Sequence, residues 1–248
     1  MKKNSLYKYS KAIIMAIGLS LSSCSEFLDT PLPNDQLATE TVFQSKETIR
    51  DVVNGMYASF SAQHNGFIVR NSAAYADEGT LTSNGGSALA NMVFGIITPE
   101  NGVILSWETF YRTVYRANLI LENLPNVPAS VLNEADRKIY MAAARFVRAE
   151  THFCLVNTWG NVPLVTSTDA TVNSAIAQTP AAEVLKLVVS DLEAAVADLP
   201  VTVNTSPTIH NKFQAQALLA RVYLYLGRWA DAEAAASGVI ASGKYQMV

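Results

Sequence analysis

Apolar residues recur along this chain at steps of three and four. Ile49, Val52, Val53, Met56, Tyr57 and Phe60 would share one stripe of a helix opened by Ser45 as N-cap. A second stripe begins near Val103 and runs through Trp107, Phe110, Tyr111, Val114, Tyr115, Asn118 and Leu121, with Pro125 closing it. Asn133 caps a third, with Glu134 and Asp136 in the first turn, where negative charge suits the helix dipole. Its face is Ile139, Tyr140, Ala143, Phe146, Val147, Phe153 and Cys154, and Gly160 with Pro163 ends it. Thr179-Pro180 opens a fourth, with proline at the first helical position, where its missing N–H costs nothing. That helix buries Val184, Leu185, Val188, Leu192, Ala195 and Leu199 before Pro200. No run alternates in the manner of a strand. The pattern predicts a mainly α fold.

From Leu219 the spacing of Leu219-Ala220, Tyr223, Ala232, Ala236 and Val239 is that of a tetratricopeptide-like helical hairpin, with Gly227 at its turn. Tyr223 and Ala232 are expected where the two helices touch. The exception to the helical pattern is residues 61–100, rich in Gly, Ser, Asn and Ala, with Asp77-Glu78-Gly79 and Asn84-Gly85-Gly86. This stretch is expected to be a long loop-rich insertion, and such a length without regular structure inside a domain is commonly functional.

The N-terminus changes the picture. Lys2, Lys3, Lys8 and Lys11 precede any acidic residue, and Ala12 to Leu21 is apolar apart from Gly18 and Ser20. Ten helical residues rise only ~15 Å, about half of a ~30 Å hydrocarbon core, so a signal peptide is expected rather than a membrane span. Leu21-Ser22-Ser23-Cys24 has the order of a lipobox, in which the thiol is acylated before cleavage. The alternative is an ordinary secreted protein with a chance cysteine. The expected organisation is a signal peptide over 1–23, a lipid anchor at Cys24 with a tether over 24–44, and a helical domain over 45–248. The membrane is then reached through lipid alone.

Charge excludes one class of partner. Removing the four leader lysines turns 18 basic and 21 acidic residues into 14 and 21, a net of −7. A nucleic-acid binder displaces counterions with basic surface, and this balance has the opposite sign. With Cys24 acylated, Cys154 has no disulfide partner and is expected to be a buried small apolar residue.

No nucleophile, metal or phosphate motif stands out, and no cofactor is implied. His64, His152 and His210 are far apart in sequence. Asp77-Glu78 is the best carboxylate pair, but glycoside hydrolysis needs two carboxyl groups about 5–10 Å apart across the scissile bond. Adjacent loop residues diverge, so a turn, cap or binding element is expected and catalysis is not. Trp107, Phe110, Tyr111 and Tyr115 follow the helical period and belong mostly to the core. Phe67, Tyr75 and Phe94 fall on loops and Trp159 at a helix end, where an exposed ring can stack on a pyranose face.

Several segments together resemble a known family. They are Cys24-Ser-Glu-Phe-Leu-Asp-Thr-Pro31, Asn54-Gly55-Met56-Tyr57, Tyr115-Arg116-Ala117-Asn118 and Arg145-Phe146-Val147-Arg148-Ala149-Glu150. Trp159-Gly160-Asn161-Val162-Pro163-Leu164 and Ala217-Leu218-Leu219-Ala220-Arg221-Val222-Tyr223 follow in the same order. The chain is similar to the N-terminal part of the SusD/RagB family, surface lipoproteins of Bacteroidetes that bind glycans and other nutrients. The resemblance implies a tetratricopeptide-like scaffold, an outer-membrane location, and a SusC-like TonB-dependent transporter as partner, with an oligosaccharide or peptide as ligand. Members run to about twice this length, so the chain is expected to stop short of the family's C-terminal half. Starch-binding relatives also place tryptophans after an acidic pair like Asp77-Glu78, whereas Gly79 to Asn84 holds no aromatic.

Ligand contact is expected within 61–100, through Asp77, Glu78 and Asn84 as hydrogen-bonding groups and Tyr75 and Phe94 as rings. The competing reading is a helical-repeat scaffold of the envelope without a small-molecule ligand.

Overall fold

The structure, a computed structural model, describes residues 39–79, 88–96, 98, 107–202 and 210–245. Val42–Val248 forms one compact unit. Met1–Thr41 forms another, of which only the start of a short helix, Thr39–Val42, is described. The expected signal peptide and Cys24 therefore lie outside the described residues, and the last part of the expected tether is helical.

Helix α1 is Lys46–Gln63, and Ser45 caps it in extended conformation, its hydroxyl accepting from the Thr48 N–H at 3.2 Å. Ile49, Val53, Met56, Tyr57 and Phe60 form its buried face. A π-helical turn, His64–Val69, continues it into α2, Arg70–Tyr75, and α3 follows at Ala88–Val93. The long helix α4 is Trp107–Asn123, and Pro125 converts its end to a 3-10 turn, Leu124–Asn126. Arg137 binds the orphan carbonyls of that turn, donating to the Leu124 and Val127 oxygens at 2.6 Å each.

Helix α5, Glu134–Trp159, starts at Asn133, whose side chain accepts from the Asp136 N–H at 2.9 Å, and stops at Gly160 with φ 76°. That left-handed conformation is one glycine adopts without strain. Two residues, Val162–Pro163 (β1), pair antiparallel with Gln178–Thr179 (β2) around the short α6, Ala170–Ser174. Helix α7 is Ala181–Asp198. Pro180 is its N-cap rather than its first residue: φ is −53° but ψ is 137°, so the fixed ring angle is used just outside the helix. Helices α8, Lys212–Tyr225, and α9, Trp229–Ala241, form the final hairpin, with Gly227 at φ 68° in the turn.

Each long helix packs on the next in chain order, α1 on α4, α4 on α5, α5 on α7, α7 on α8 and α8 on α9. Neighbour-to-neighbour stacking is the organisation of a helical repeat, so the tetratricopeptide-like expectation holds. The main core runs from Ile49 and Met56 through Ile120, Phe146, Val188 and Leu192 to Leu219, Tyr223 and Ala232. Fully burying each larger side chain contributes about 1.5–3 kcal/mol. A second cluster, Phe110, Val114, Leu155, Val162 and Val184, closes the end near β1.

Tyr223 and Ala232 are both buried, as the spacing predicts. Ala235 rather than Ala236 completes the seam, where its carbonyl accepts from the Gln216 amide at 3.1 Å. Ala236 instead lines an open groove beside Trp229. The Tyr223 hydroxyl donates to Glu193 at 2.8 Å, tying the hairpin to α7. Tyr115, expected in the core, is exposed, because its position on α4 points away from both α1 and α5 neighbours that bury Val114 and Ala117.

Candidate functional site

The segment expected to be irregular is largely helical where it is described. The π turn, α2 and α3 occupy His64–Tyr75 and Ala88–Val93. Pieces of six residues are too short to display a stripe, which is why the periodicity is weak. Helices α2 and α3 pack on each other through Ala74 and Met92, with Leu89 and Val93 against them.

Both helices end in the same way. After α2, Asp77 takes φ 59°, and the Glu78 N–H donates back to the Ala73 carbonyl at 2.9 Å. After α3, Gly95 takes φ 66°, and the N–H groups of Gly95 and Ile96 donate to Met92 and Asn91 at 3.0 and 2.7 Å. This is the left-handed helix stop that glycine normally supplies. At Asp77 an aspartate holds the glycine position, at a backbone cost of about 1 kcal/mol. Such a conformation in a non-glycine residue is commoner at ligand sites than elsewhere. The backbone of Asp77-Glu78 is therefore a helix stop, and both side chains point to solvent.

Each stop carries an exposed ring. Tyr75, the last residue of α2, is 59% exposed, and Phe94, the residue after α3, is 69% exposed. They stand at the ends of the two helices that touch at Ala74 and Met92. Of the other expected stacking rings, Trp159 is packed edge-on against Trp107 at 5.2 Å and Phe110 at 5.3 Å, so it serves the second core cluster instead. Asn84 and the Phe67 side chain lie outside the described residues.

Three residues far apart in sequence meet in a place no motif announced. His64 Nδ1 lies 3.5 Å from Glu150 Oε1, and the His210 ring stacks on Phe146 with centroids 4.0 Å apart. Phe60 touches both imidazoles, at 5.6 Å for His64 and 5.7 Å for His210. Burial pushes the Glu150 carboxyl up to about 7, against the opposing charge of Arg221. Burial, with a smaller contribution from His64, lowers His210 to about 4. His152 is fully enclosed and likewise lowered to about 4 by burial, its Nδ1 hydrogen-bonded to the Arg148 carbonyl at 2.9 Å. The Cys154 thiol is pushed up to about 12, first by burial and then by Glu150, which makes it inert at neutral pH. Among the described residues, no group of three or more His, Cys, Asp or Glu is placed to hold a metal ion. No described helix is long and apolar enough to cross a membrane.

The sequence pattern of a family described as starch-binding and associating with the outer membrane matches residues 26–224. The chain belongs to the SusD-like family. The earlier resemblance to SusD/RagB proteins is thereby established. Two SusD-like proteins of Formosa agariphila are 28% identical over 255 residues and 30% identical over 246 residues. Those alignments take in 100% and 94% of this chain and 48% and 46% of the relatives. The chain thus spans about half the length of the curated relatives it matches. Among solved structures, a SusD superfamily protein of Bacteroides thetaiotaomicron superposes with a TM-score of 0.71 at 20% identity, over 82% of this chain and 48% of that one. A laminarin-binding SusD-like protein superposes with a TM-score of 0.68 at 24% identity, over 77% of this chain and 42% of that one. At such identities these structures establish the SusD-like fold and nothing finer.

Proposed function

We propose that this chain is the glycan-binding part of a lipid-anchored, non-catalytic protein of the outer membrane. In this reading Cys24 carries the lipid, and the bound oligosaccharide passes to a SusC-like TonB-dependent transporter. The SusD-like family supports the class, and the laminarin-binding relative supports a sugar as ligand.

The observation that carries the assignment is the pair of matching helix stops. Tyr75 and Phe94 are large rings left in solvent at the ends of two helices that hold one another. Faces of this kind stack on the C–H side of a sugar ring while short polar chains beside them bond its hydroxyls. Asp77 and Glu78 stand directly after Tyr75, and Asn84 lies in the connection to α3.

Calorimetry with laminarin and other soluble glucans tests this reading. Replacing Tyr75 and Phe94 together by Ala is expected to abolish measurable binding and leave the melting temperature unchanged, since both rings are exposed. Asp77→Gly separates a ligand role from a helix stop. Glycine relieves the left-handed backbone, so the variant is expected to be at least as stable as the parent while binding falls. Retained binding in Asp77→Gly would remove that carboxylate from the site.

The scaffold reading draws on a different surface. Tyr225, Trp229 and Ile240 are exposed on the final hairpin, as a protein-docking face would be. Retention of a partner protein by a variant that binds no glucan would favour it.

A further inference from the structure

We propose that the cleft between α5 and α8 binds a small hydroxylated carboxylate, a sugar acid, whose carboxylate pairs with Arg221. The proposal concerns a place other than the Tyr75 and Phe94 surface and does not rest on it. The cleft has a volume of about 290 Å³ and is lined by Phe146 and Glu150 of α5 and by His210, Gln214, Leu218 and Arg221 on the other side. That is the low end of ligand-pocket size, about 300 Å³, and suits one ring rather than a chain of them.

The lining has the character of a binding site. Phe146 and His210, stacked with centroids 4.0 Å apart, line it together with the apolar Ala217 and Leu218. The Arg221 guanidinium acts on Glu150 through charge, yet no carboxylate of the described residues lies within ion-pair distance of it. Arg221 is exposed on the edge shared by this cleft and the groove beside Trp229, where its planar fork is available to a carboxylate. Gln214 has its carbonyl engaged by the Asn211 N–H at 2.8 Å, which leaves its amide N–H groups as donors.

The titratable neighbours agree with an anion. Glu150 faces His64 from the π turn, Arg221 from α8, His210 from the approach to α8, and Cys154 on its own helix. With its carboxyl raised to about 7 by burial, Glu150 below that pH is neutral and donates a hydrogen bond. Above it, the carboxylate repels a second one. Burial lowers His64, so Glu150 is the group through which a falling pH favours an acid ligand.

Calorimetry with galacturonate and with its neutral counterpart galactose, at pH 6 and pH 8, decides the matter. Galacturonate is expected to bind, more tightly at pH 6, with galactose weaker by about tenfold or more. Arg221→Gln should weaken galacturonate by about tenfold at unchanged melting temperature. Should that variant not fold, Arg221→Lys keeps the charge but not the fork and is expected to weaken binding by a smaller factor. The Tyr75 and Phe94 double variant should bind galacturonate like the parent. No heat with galacturonate, equal affinity for galactose, equal affinity at the two pH values, or indifference to the Arg221 variants would overturn the proposal.

Discussion

Arg148 grips Asp191 with two nitrogens at once: Nε donates to one carboxylate oxygen at 2.7 Å and Nη2 to the other at 2.8 Å. Its remaining nitrogen donates to the Asn118 side-chain oxygen at 2.9 Å. The Asn118 amide in turn donates to the Val165 carbonyl at 3.1 Å. One guanidinium thus joins α4, α5, α7 and the strand-like connection after β1, with both charged partners almost wholly enclosed.

Removing one member leaves the other buried and alone. Arg148→Met is expected to destabilise by about 3–5 kcal/mol in urea titration. Adding Asp191→Leu should restore most of that loss, because a well-packed apolar pair replaces a buried ion pair at little cost. Equal stability of the single and double variants would show that Asp191 finds water when Arg148 is gone.

Acid should unfold the protein through its buried histidines. His152 and His210 sit near 4 when folded and near 6.5 when unfolded. Between those values the unfolded chain takes up the protons, so stability is complete above about pH 6.5 and drains away as pH falls toward 4. For His152 the loss is on the order of 3 kcal/mol. His152→Gln should flatten this limb in thermal melts recorded from pH 7 to pH 4.

Glu150 works in the other direction. Its folded value of about 7 stands above the ordinary 4.5, so the folded state holds a proton that the unfolded chain has released. Its contribution is present below about pH 4.5 and is lost as pH rises through 7. Glu150→Gln should therefore gain stability relative to the parent at pH 8 and not at pH 4. A variant equally shifted at both would show that the carboxyl is not desolvated.

The phase of the last helix is open to a paired test. Ala232→Arg places a long side chain at a buried seam, and the neighbouring groove of about 400 Å³ gives its charged end an outlet. The expected cost is that of overpacking, about 1–3 kcal/mol. Ala236→Arg, at an exposed position on the same helix, should fall within about 0.5 kcal/mol of the parent.

Cys24 is tested by cell fractionation. Cys24→Ala should move the protein from the membrane pellet to soluble fractions and abolish labelling by palmitate. A variant that remains in the pellet would show attachment by another route.

The long helices were legible because each repeats its apolar residues often enough to define a face. Ser45 and Asn133 were legible because capping is a local bond between a side chain and a backbone two or three residues on. The insertion was not, since α2 and α3 have only one and a half turns each and take their order from touching at Ala74 and Met92. Asp77-Glu78 was visible as a pair, but its positive φ was not, because aspartate is an uncommon choice for a helix stop. Tyr75 and Phe94 are exposed as expected, although Tyr75 ends α2 rather than lying on a loop, whereas Trp159 is packed, because its edge contacts with Trp107 and Phe110 join residues about fifty positions apart. The His64, Glu150, Arg221 and His210 group left no trace in the sequence. Each lies on a different segment, and only the stacking of α1, α5 and α8 assembles them.

The π turn at His64–Val69 also bears on how such a surface changes over generations. A π turn spends one more residue than an α turn, so deleting a single codon there would return the helix to ordinary winding. Because a π turn winds less per residue, five residues in α winding sweep about the same angle as these six, so Tyr75 and Asp77 would keep nearly the same direction around the helix axis. The repeat scaffold behind α1 would keep its packing throughout. A one-residue deletion at this turn can thus be absorbed locally, leaving the ring and carboxylate facing as before while the repeat scaffold is untouched.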